Sequence, residues 1–341
     1  MKTAMTMTAL GMLLCAFALP ADGQGDQAKP IRIGIIGLDT SHCMAFTNIL
    51  NSPKATGDVA GFRVVAAYPG GSPDIPASKD RLEGFTKQLR DKHGVEIVDS
   101  IDDLLKKVDV VMIESVDGRP HLQQLGPVVK SGKKVFIDKP IAGSLADVLL
   151  IFQLAADHKV PVFSSSGLRF GPGIAGARKN PKIGDVLGCI TYGPCSLEPH
   201  HPDLFWYGVH GVEALYTVMG TGCKSVTRSH TPDVDVVTGV WNDGRIGTFR
   251  GLRSGKQDYG TIVFGSKSIE SVGGFGGYDP LVGAICKFFR TGIPPVSAEE
   301  TTEMFAFMEA ADESKRQSGR PVTIEAVMKE ARAEAAKRSP R

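Results

Sequence analysis

The chain has 341 residues, of which 42% are hydrophobic and 22% are charged, and it contains 40 glycines and 21 prolines. These values are typical of a globular protein and exclude collagen, a coiled coil and wholesale disorder. The 39 basic residues nearly balance the 37 acidic ones, for a formal net charge of +2. That balance gives no electrostatic reason to expect nucleic acid or an anionic membrane as a partner. We therefore expect a small-molecule partner.

The first residues have the make-up of an export signal. Lys2 gives a positive start, residues 9–19 are apolar, and small residues follow at 20–23. An apolar segment of this length is too short to span a bilayer and is typical of a cleaved secretory signal. We expect a signal peptide over residues 1–23, an exported (periplasmic or secreted) protein, and no stable membrane insertion after cleavage.

The cysteines beyond that segment are Cys43, Cys189, Cys195, Cys223 and Cys286. Their number is odd, and none of them has the close spacing of a metal-binding knuckle. Buried free thiols are the usual state of cysteines at this density. The sequence therefore predicts no obligatory disulfide.

The first half of the chain alternates short apolar segments with stretches of helix length. Strands are predicted at 31–38, 62–68, 109–115, 134–137 and 160–164, and helices at 41–51, 78–93, 99–107, 121–131 and 144–158. Residues 31–38 are almost continuously hydrophobic, which is typical of a parallel strand covered on both faces. The alternation predicts an α/β fold, with a Rossmann-like doubly wound parallel sheet over residues 30–166.

Beyond residue 167 the pattern changes to short segments with alternating β-branched residues. Strands are predicted at 186–192, 225–230, 234–241, 246–252 and 259–264, and helices at 210–219, 281–290, 298–317 and 324–337. Short alternating strands of this kind are typical of antiparallel pairing. We therefore expect a second, α+β domain over residues 167–341 with a mainly antiparallel open sheet.

The turn after the first strand lies where a dinucleotide-binding fold places its phosphate loop, with the motif G-x-G-x-x-G. In this chain the first glycine is Gly37, and Asp39 and His42 stand at the positions of the other two. A carboxylate ~4 Å from a phosphate would cost about 4 kcal/mol at an effective dielectric of 20. Asp39 must therefore point elsewhere, or no pyrophosphate binds. One interpretation is that Asp39 caps the first helix. Thr40 and Ser41 offer hydroxyls and a helix N-terminus to an anion.

A second departure follows the strand at 62–68. A dinucleotide-binding fold places an acidic residue there for the ribose hydroxyls. The chain instead continues Tyr68-Pro69-Gly70-Gly71-Ser72. A pair of glycines is first of all a turn signal, so recognition of the adenosine half is not readable from this segment.

The segment Gly132-Lys133-Lys134-Val135-Phe136-Ile137-Asp138-Lys139-Pro140 is similar to the G-K-x-V-x-x-E-K-P motif of the Gfo/Idh/MocA family, named after glucose–fructose oxidoreductase and inositol dehydrogenase. Further family marks follow in order at His121, Arg169-Phe170, 183–186, His210 and 314–322. The resemblance covers residue 31 to about residue 322. It implies NAD or NADP at the first domain and redox chemistry on a sugar or cyclitol carbon.

The resemblance also implies roles for two side chains. Lys139 would hold the substrate hydroxyl and stabilise developing alkoxide, and His210 would exchange a proton with it. The family places Asp four residues before that histidine, where this chain has Trp206, and Asp203 or Glu213 are the neighbouring carboxylates. Trp206, with its aromatic neighbours at 205 and 207, offers either a platform for a sugar face or ordinary core packing.

We predict cofactor contacts at Gly34, Gly37, Thr40, Ser41, Ser115, His121, Asp138 and Arg169. Two groups contain residue types that bind metals: Asp39 with His42, and His200 with His201 and Asp203. Adjacent histidines point in different directions, and Asp39 has an alternative role as a cap. We therefore assign no metal.

The leading interpretation is an exported NAD(P)-dependent oxidoreductase acting on a sugar, polyol or related carbohydrate. Two alternatives remain open: an NAD-dependent glycoside hydrolase that uses transient oxidation, and a cofactor-free carbohydrate-binding protein. The substitutions at Asp39, His42 and Trp206 favour the binding protein. The resemblance also allows a homo-oligomer through the C-terminal sheet.

Overall fold

The computed structural model describes residues 29–338, so the predicted signal peptide lies outside the described residues. The strands of the first half are β1 Ile31–Ile36, β2 Phe62–Tyr68, β3 Glu96–Ile97, β4 Val110–Ile113, β5 Val135–Ile137 and β6 Val162–Ser164. The helices of the first half are α1 Ser41–Leu50, α2 Pro76–His93, α3 Ile101–Leu105, α4 His121–Lys130 and α5 Leu145–Asp157.

The first six strands form one parallel sheet in the order β3-β2-β1-β4-β5-β6. All four residues of β4 are buried because helices cover both faces of the sheet. This confirms the predicted Rossmann-like, doubly wound parallel sheet. The order of connection reverses between β1 and β4, and ligands of such sheets bind in the crevice at that point.

The second half contains seven further strands and five helices. The strands are β7 Val186–Pro194, β8 Cys223–His230, β9 Val234–Trp241, β10 Ile246–Leu252, β11 Gly260–Gly265, β12 Ile269–Val272 and β13 Val322–Thr323. The helices are α6 Asp203–Trp206, α7 Val209–Met219, α8 Asp279–Thr291, α9 Ala298–Arg316 and α10 Ile324–Arg338.

These strands form a second sheet in the order β12-β11-β7-β10-β9-β8-β13. The pairing is antiparallel except between β7 and β10, which run parallel and place Thr191 opposite Phe249. The predicted second, mainly antiparallel sheet is therefore confirmed, with one parallel pair. Helix α7 packs closely on this sheet, since a Cβ at Gly211 would lie 2.2 Å from the Phe249 ring.

Helix α8 packs on the first sheet although it belongs to the second half of the chain. Leu281 and Ile285 are fully buried in the same hydrophobic cluster as Ile33 and Ile35 of β1. The Phe288 ring lies 4.8 Å from that of Phe163 in β6. A helix from beyond residue 278 thus covers one face of the Rossmann sheet, and the two sheets do not have separate sets of covering helices.

The five cysteines of the described region have free, buried thiols: Cys43, Cys189, Cys195, Cys223 and Cys286. Burial is the largest cause that raises the pKa of these thiols, and it raises that of Cys189 to about 12. Such thiols are chemically inert. Within residues 29–338, none of the helices combines the length and hydropathy needed to cross a membrane.

Candidate active site

A cleft of about 610 Å³ lies between the two sheets, in the size range of sites for small molecules. The first domain supplies polar side chains to its wall: Thr40, Ser41, His42, Asp80, Arg81 and Lys139. The second half supplies mainly rings: Trp206, Tyr207, His210, Tyr259, Phe275 and Tyr278. The cleft therefore joins a cationic, hydroxyl-bearing wall to an aromatic one.

Lys139 follows β5 and enters this cleft from the carboxyl end of the sheet. Its Nζ lies 5.4 Å from the centre of the Tyr207 ring, which provides a cation–π contact. Burial lowers the pKa of Lys139, while the charge of Asp138 opposes that shift. The side chain has no ion-pair partner among the described residues within 4.0 Å, so its ammonium group can serve a ligand.

His210 lies in the first turn of α7 and faces the same cleft. Its Nδ1 is 2.7 Å from Ser166 Oγ. Burial, followed by the nearby charge of Lys139, lowers the pKa of His210 well below its usual value. The imidazole is therefore neutral at physiological pH and acts as a hydrogen-bonding group. The structure thus brings Lys139 and His210 together, as the sequence analysis anticipated.

Asp39 is fully buried and turns away from the cleft. Its Oδ2 accepts a hydrogen bond of 2.6 Å from Ser78 Oγ, and its Oδ1 accepts one of 2.9 Å from the Val116 amide. The N-cap of α1 is Thr40, whose hydroxyl accepts from the His42 amide. The interpretation of Asp39 as the helix cap is therefore wrong, because its carboxylate joins the turn after β1 to helix α2 and to the segment after β4 instead.

The side chains that remain at the phosphate loop fit an anionic ligand. Thr40 and Ser41 present hydroxyls to the cleft, and Arg81 lies on the same wall. With Asp39 bonded inward, no carboxylate of the loop itself faces a pyrophosphate placed there. The donor set of two hydroxyls and a guanidinium suits the phosphates of a dinucleotide. Thr40, Ser41 and Arg81 are the residues that would hold them.

Gly37 has a structural reason for being glycine. Its φ is +93°, and a Cβ at this position would lie 2.3 Å from the amide nitrogen of Ser115. Only glycine lets the turn after β1 approach the segment after β4 so closely. Gly37 therefore shapes the loop and does not line the cleft.

Three other predicted cofactor contacts do not reach the cleft. Gly34 lies inside β1, where a Cβ would be 3.0 Å from Leu104 of α3. Ser115 bonds to Gln124 of α4. His121 is fully buried, with Nδ1 3.1 Å from the Ile141 carbonyl and Nε2 3.0 Å from the Ser115 carbonyl. These side chains hold the first domain together and do not line the cleft, contrary to the expected position of cofactor contacts.

Arg169 likewise does not line the cleft, because two carboxylates engage its guanidinium. Its Nε is 2.7 Å from Glu213 and its Nη2 is 2.6 Å from Glu300. Arg169 is 8% exposed and Glu213 is 1% exposed, so this is a buried ion pair. Glu213 therefore cannot serve as the carboxylate missing beside His210.

The predicted aromatic platform is divided between cleft and core. Trp206 and Tyr207 line the cleft. Phe205 is fully buried and packs edge-on against Phe305 of α9 at 4.8 Å. Trp206 and Tyr207 therefore lie where a sugar face could stack, whereas Phe205 belongs to the hydrophobic core.

The two candidate metal clusters are occupied by other contacts. His200 Nδ1 is 2.6 Å from Glu198, and His201 Nε2 is 3.1 Å from Asp117. Asp203 pairs with Arg228 at 2.9 Å and with Lys315. Across residues 29–338 there is no group of three side chains arranged to bind a metal ion. Asp203 is likewise engaged elsewhere and does not assist His210.

Asp138, predicted as a cofactor contact, instead bonds to His42. His42 Nδ1 is 2.5 Å from Asp138 Oδ2, and His42 Nε2 is 3.0 Å from the Tyr278 hydroxyl. Burial would raise the pKa of Asp138, but His42 and Lys139 hold it below its usual value. Tyr278 was missed from the sequence. The available signal was an aromatic residue directly after the glycine-rich segment at 273–277.

Comparison with known proteins agrees with the observed fold. Residues 31–166 match the GFO_IDH_MocA family model, described as an oxidoreductase family with an NAD-binding Rossmann fold. This match confirms the resemblance over the first domain. The family description also supports the expected NAD or NADP cofactor.

A protein of Streptococcus pneumoniae named "Uncharacterized oxidoreductase" is 26% identical over 168 residues, which cover 43% of each chain. The match thus spans less than half the length of that relative.

Two solved structures share the complete two-domain fold. Scyllo-inositol dehydrogenase from Lactobacillus casei, with bound NAD(H) and scyllo-inositol, has a TM-score of 0.70 at 17% identity and covers 87% of this chain and 100% of its own. An oxidoreductase from Agrobacterium radiobacter, in complex with NAD+, L-tartaric acid and magnesium, has a TM-score of 0.67 at 16% identity, with 87% and 99% covered. At these identities the likeness concerns the fold alone.

Proposed function

We propose that this protein is an NAD- or NADP-dependent oxidoreductase that oxidises or reduces a carbinol carbon of a sugar, polyol or related carbohydrate. The observation that carries the proposal is the meeting of Lys139 and His210 in one cleft, beside the phosphate-binding side chains of the first domain. The family of the first domain supports the redox class.

The nicotinamide ring, when bound, supplies the hydride acceptor or donor. Lys139 holds the oxygen of the reacting hydroxyl and stabilises the negative charge that develops on it. This effect is strong because the ammonium group lies in a buried site and has no competing carboxylate on its Nζ. The neutral His210 provides a second hydrogen bond that fixes the orientation of the substrate.

The aromatic wall supports a carbohydrate substrate. Trp206, Tyr207 and Phe275 present ring faces or edges to the cleft, and the C–H faces of sugars and cyclitols stack on such rings. The L. casei relative named above binds scyllo-inositol, a cyclitol, which agrees with this class. A polyol also supplies the hydroxyls that Lys139 and His210 require.

Calorimetry with NAD and with NADP tests the proposal first. We expect saturable binding of one of them, followed by reduction of the nucleotide, detected by absorbance, when inositols and aldoses are added. No heat with either nucleotide, together with heat from a sugar, would establish the cofactor-free binding protein instead. Release of nitrophenol from a nitrophenyl glycoside, dependent on NAD, would establish the glycoside hydrolase.

We also propose that two copies associate through the open face of the second sheet. Large apolar side chains are exposed on this face, among them Val240, Ile246 and Ile269 at 38%, 53% and 66%, and Val240 lies directly opposite Ile246. Contiguous exposed apolar surface is characteristic of an interface. Light scattering of the purified protein tests this, and a Ile246→Lys substitution should shift the mass to that of a single chain.

A further inference from the structure

The side chain of His42, in the cleft wall, is held in place by a ring stack and two hydrogen bonds. Thr40 accepts the backbone amide of His42, and the imidazole stacks on Phe46 with ring centres 5.2 Å apart and planes 13° apart. Its two nitrogens contact Asp138 and Tyr278 at 2.5 and 3.0 Å. His42 is 6% exposed, so these contacts form in a largely water-free environment.

The position of His42 explains why this contact can form. In the dinucleotide fingerprint the corresponding residue is a glycine, which allows close packing of helix and strand. Here the side chain fills that space and reaches across to Asp138, at the end of β5. Because His42 replaces this glycine, an imidazole contacts Asp138, the residue that precedes Lys139.

The contacts define the direction of each hydrogen bond. Asp138 accepts the Lys139 amide at 2.8 Å with one oxygen, and its other oxygen faces His42 Nδ1. An ionised Asp138 can only accept, so Nδ1 carries the hydrogen. A ring with its single hydrogen on Nδ1 accepts at Nε2, where the Tyr278 hydroxyl donates to it. Tyr278 lines the cleft beside Ser41, whose hydroxyl also bonds to it, and its Oη can accept from a substrate hydroxyl there.

The neighbouring charges favour this arrangement. Glu114, at the end of β4, is fully buried, and neither of its carboxyl oxygens has a hydrogen-bond partner among the described residues. Burial, followed by the charge of Asp138, raises the pKa of Glu114 well above its usual value, so Glu114 is neutral. Asp138 thus carries the negative charge. Lys139 and His210 are the other titratable groups near the ring.

We propose that Tyr278 is the catalytic acid and base of the reaction, with His42 and Asp138 as positioning residues that act through it. This inference rests on the proposed function. During oxidation of a carbinol, the C–H electron pair leaves as hydride to the nicotinamide, and the O–H proton passes to Tyr278 Oη. The Tyr278 proton moves to His42 Nε2, and Asp138 stabilises the resulting imidazolium. Reduction runs in the opposite direction.

His210 is less suited to this task. It lacks a carboxylate partner, since its Nδ1 faces Ser166, and its position next to Lys139 opposes a second positive charge. The usual family carboxylate is replaced by Trp206. The Tyr278–His42–Asp138 chain provides the stabilised proton acceptor that His210 does not.

Tyr278→Phe is the principal test, because it removes only the hydroxyl. On a confirmed polyol substrate we expect turnover to fall by about two to four decades, with nucleotide affinity unchanged in calorimetry. His42→Gln and Asp138→Asn should also reduce turnover, the latter less. Two matched controls should leave turnover unchanged: Tyr192→Phe, in β7 of the second sheet, and His158→Gln, at the exposed position directly after α5. Near-normal turnover in Tyr278→Phe would overturn the proposal.

A second measurement requires no cofactor. In the proton NMR spectrum of the ligand-free protein, the His42 Nδ1 hydrogen bonded to Asp138 should appear far downfield and should disappear in Asp138→Asn. Absence of this signal from the wild type would overturn the relay even in an active enzyme. If the wild type binds no nicotinamide nucleotide, the proposed function is wrong. The NMR signal would then still show whether the hydrogen bond between His42 and Asp138 exists.

Discussion

Ser72 donates a hydrogen bond of 2.6 Å to the carboxylate of Asp117, and this bond fastens the segment after β2 to the segment after β4. Asp117 also accepts from Arg119 at 2.8 Å and faces His201 of the second half at 3.1 Å. One buried carboxylate therefore connects two loops of the Rossmann sheet with the segment before α6 in the second half of the chain.

Asp117 should make the fold sensitive to acid. Burial alone would raise its pKa, but the hydrogen bonds from His201, Arg119 and Ser72 hold it far below the usual range. A carboxyl with a depressed folded-state pKa stabilises the protein above its unfolded pKa of about 3.9, and this contribution is lost as pH falls further. Asp117→Asn should lower the free energy of unfolding at pH 7 by about 1–3 kcal/mol.

Urea unfolding at pH 7 and at pH 3 measures this effect. The difference between wild type and Asp117→Asn should shrink at the lower pH, because below about pH 3.9 the Asp117 carboxyl of the unfolded wild type takes up a proton while the folded one stays ionised. Asp99→Asn, at an exposed position, is the matched control. An equal difference at both pH values would show that Asp117 contributes through packing and not through its charge.

Asp39→Ala should destabilise the protein without tightening nucleotide binding. The substitution leaves the Ser78 hydroxyl and the Val116 amide without their buried acceptor, at a cost of about 1–3 kcal/mol for each unsatisfied group. Asp80→Ala removes a carboxylate that does face the cleft, so it should strengthen binding of the anionic nucleotide. Thermal unfolding and calorimetry measure the two effects. Tighter binding in Asp39→Ala would place its carboxylate near the phosphates.

Arg169→Met should reduce stability and leave nucleotide affinity unchanged. Breaking a buried ion pair typically costs about 3–5 kcal/mol, because the remaining carboxylates are left uncompensated. Adding Glu213→Gln in the same chain should recover part of that loss, as measured by urea unfolding. If the folded single variant instead loses affinity for NAD or NADP, Arg169 is a cofactor contact after all.

Lys139→Met should affect turnover more than nucleotide affinity. The ammonium group is needed mainly as alkoxide character develops, so its removal weakens binding of the transition state more than of the ground state. Steady-state kinetics and calorimetry separate the two effects. Loss of nucleotide binding, with circular dichroism unchanged, would identify Lys139 as a cofactor contact and leave the role of alkoxide stabilisation unassigned.

We propose that the protein is exported and that its N-terminal segment is removed during export. Cleavage should fall between about residue 18 and residue 23, after the apolar segment that follows Lys2. Edman sequencing of the protein recovered from the exported fraction measures the new N-terminus. Recovery of a chain that still begins at Met1, or one extracted only by detergent, would contradict the prediction.

The sequence was most informative where one physical signal dominates. The buried strands β1 and β4 are continuous apolar runs, and Thr40 is a favoured capping residue. Strands β3 and β13 have two residues each, too few for any periodicity, and were missed. The parallel pairing of β7 with β10 was also missed, because alternation within a strand says nothing about the direction of its neighbour.

The same limit applies to the site. Lys139 was found because its neighbours form a recognisable segment. His42 contacts Asp138 across 96 positions of the chain and Tyr278 across 236. No local pattern encodes such pairs, and Tyr278 has no motif of its own. The direction of the Asp39 side chain depends on Ser78 and Val116, which only the folded arrangement brings to it.

Helix α8 has a consequence for how this protein could be divided or recombined. A fragment that stops at residue 166 would leave the apolar face of β1 without its covering helix, and we expect it to aggregate. A chimera joined at that point would pair the sheet of one relative with the covering helix of another, so their side chains would no longer match. The smallest exchangeable unit of the first domain is therefore discontinuous: it comprises residues 29–166 together with 279–291.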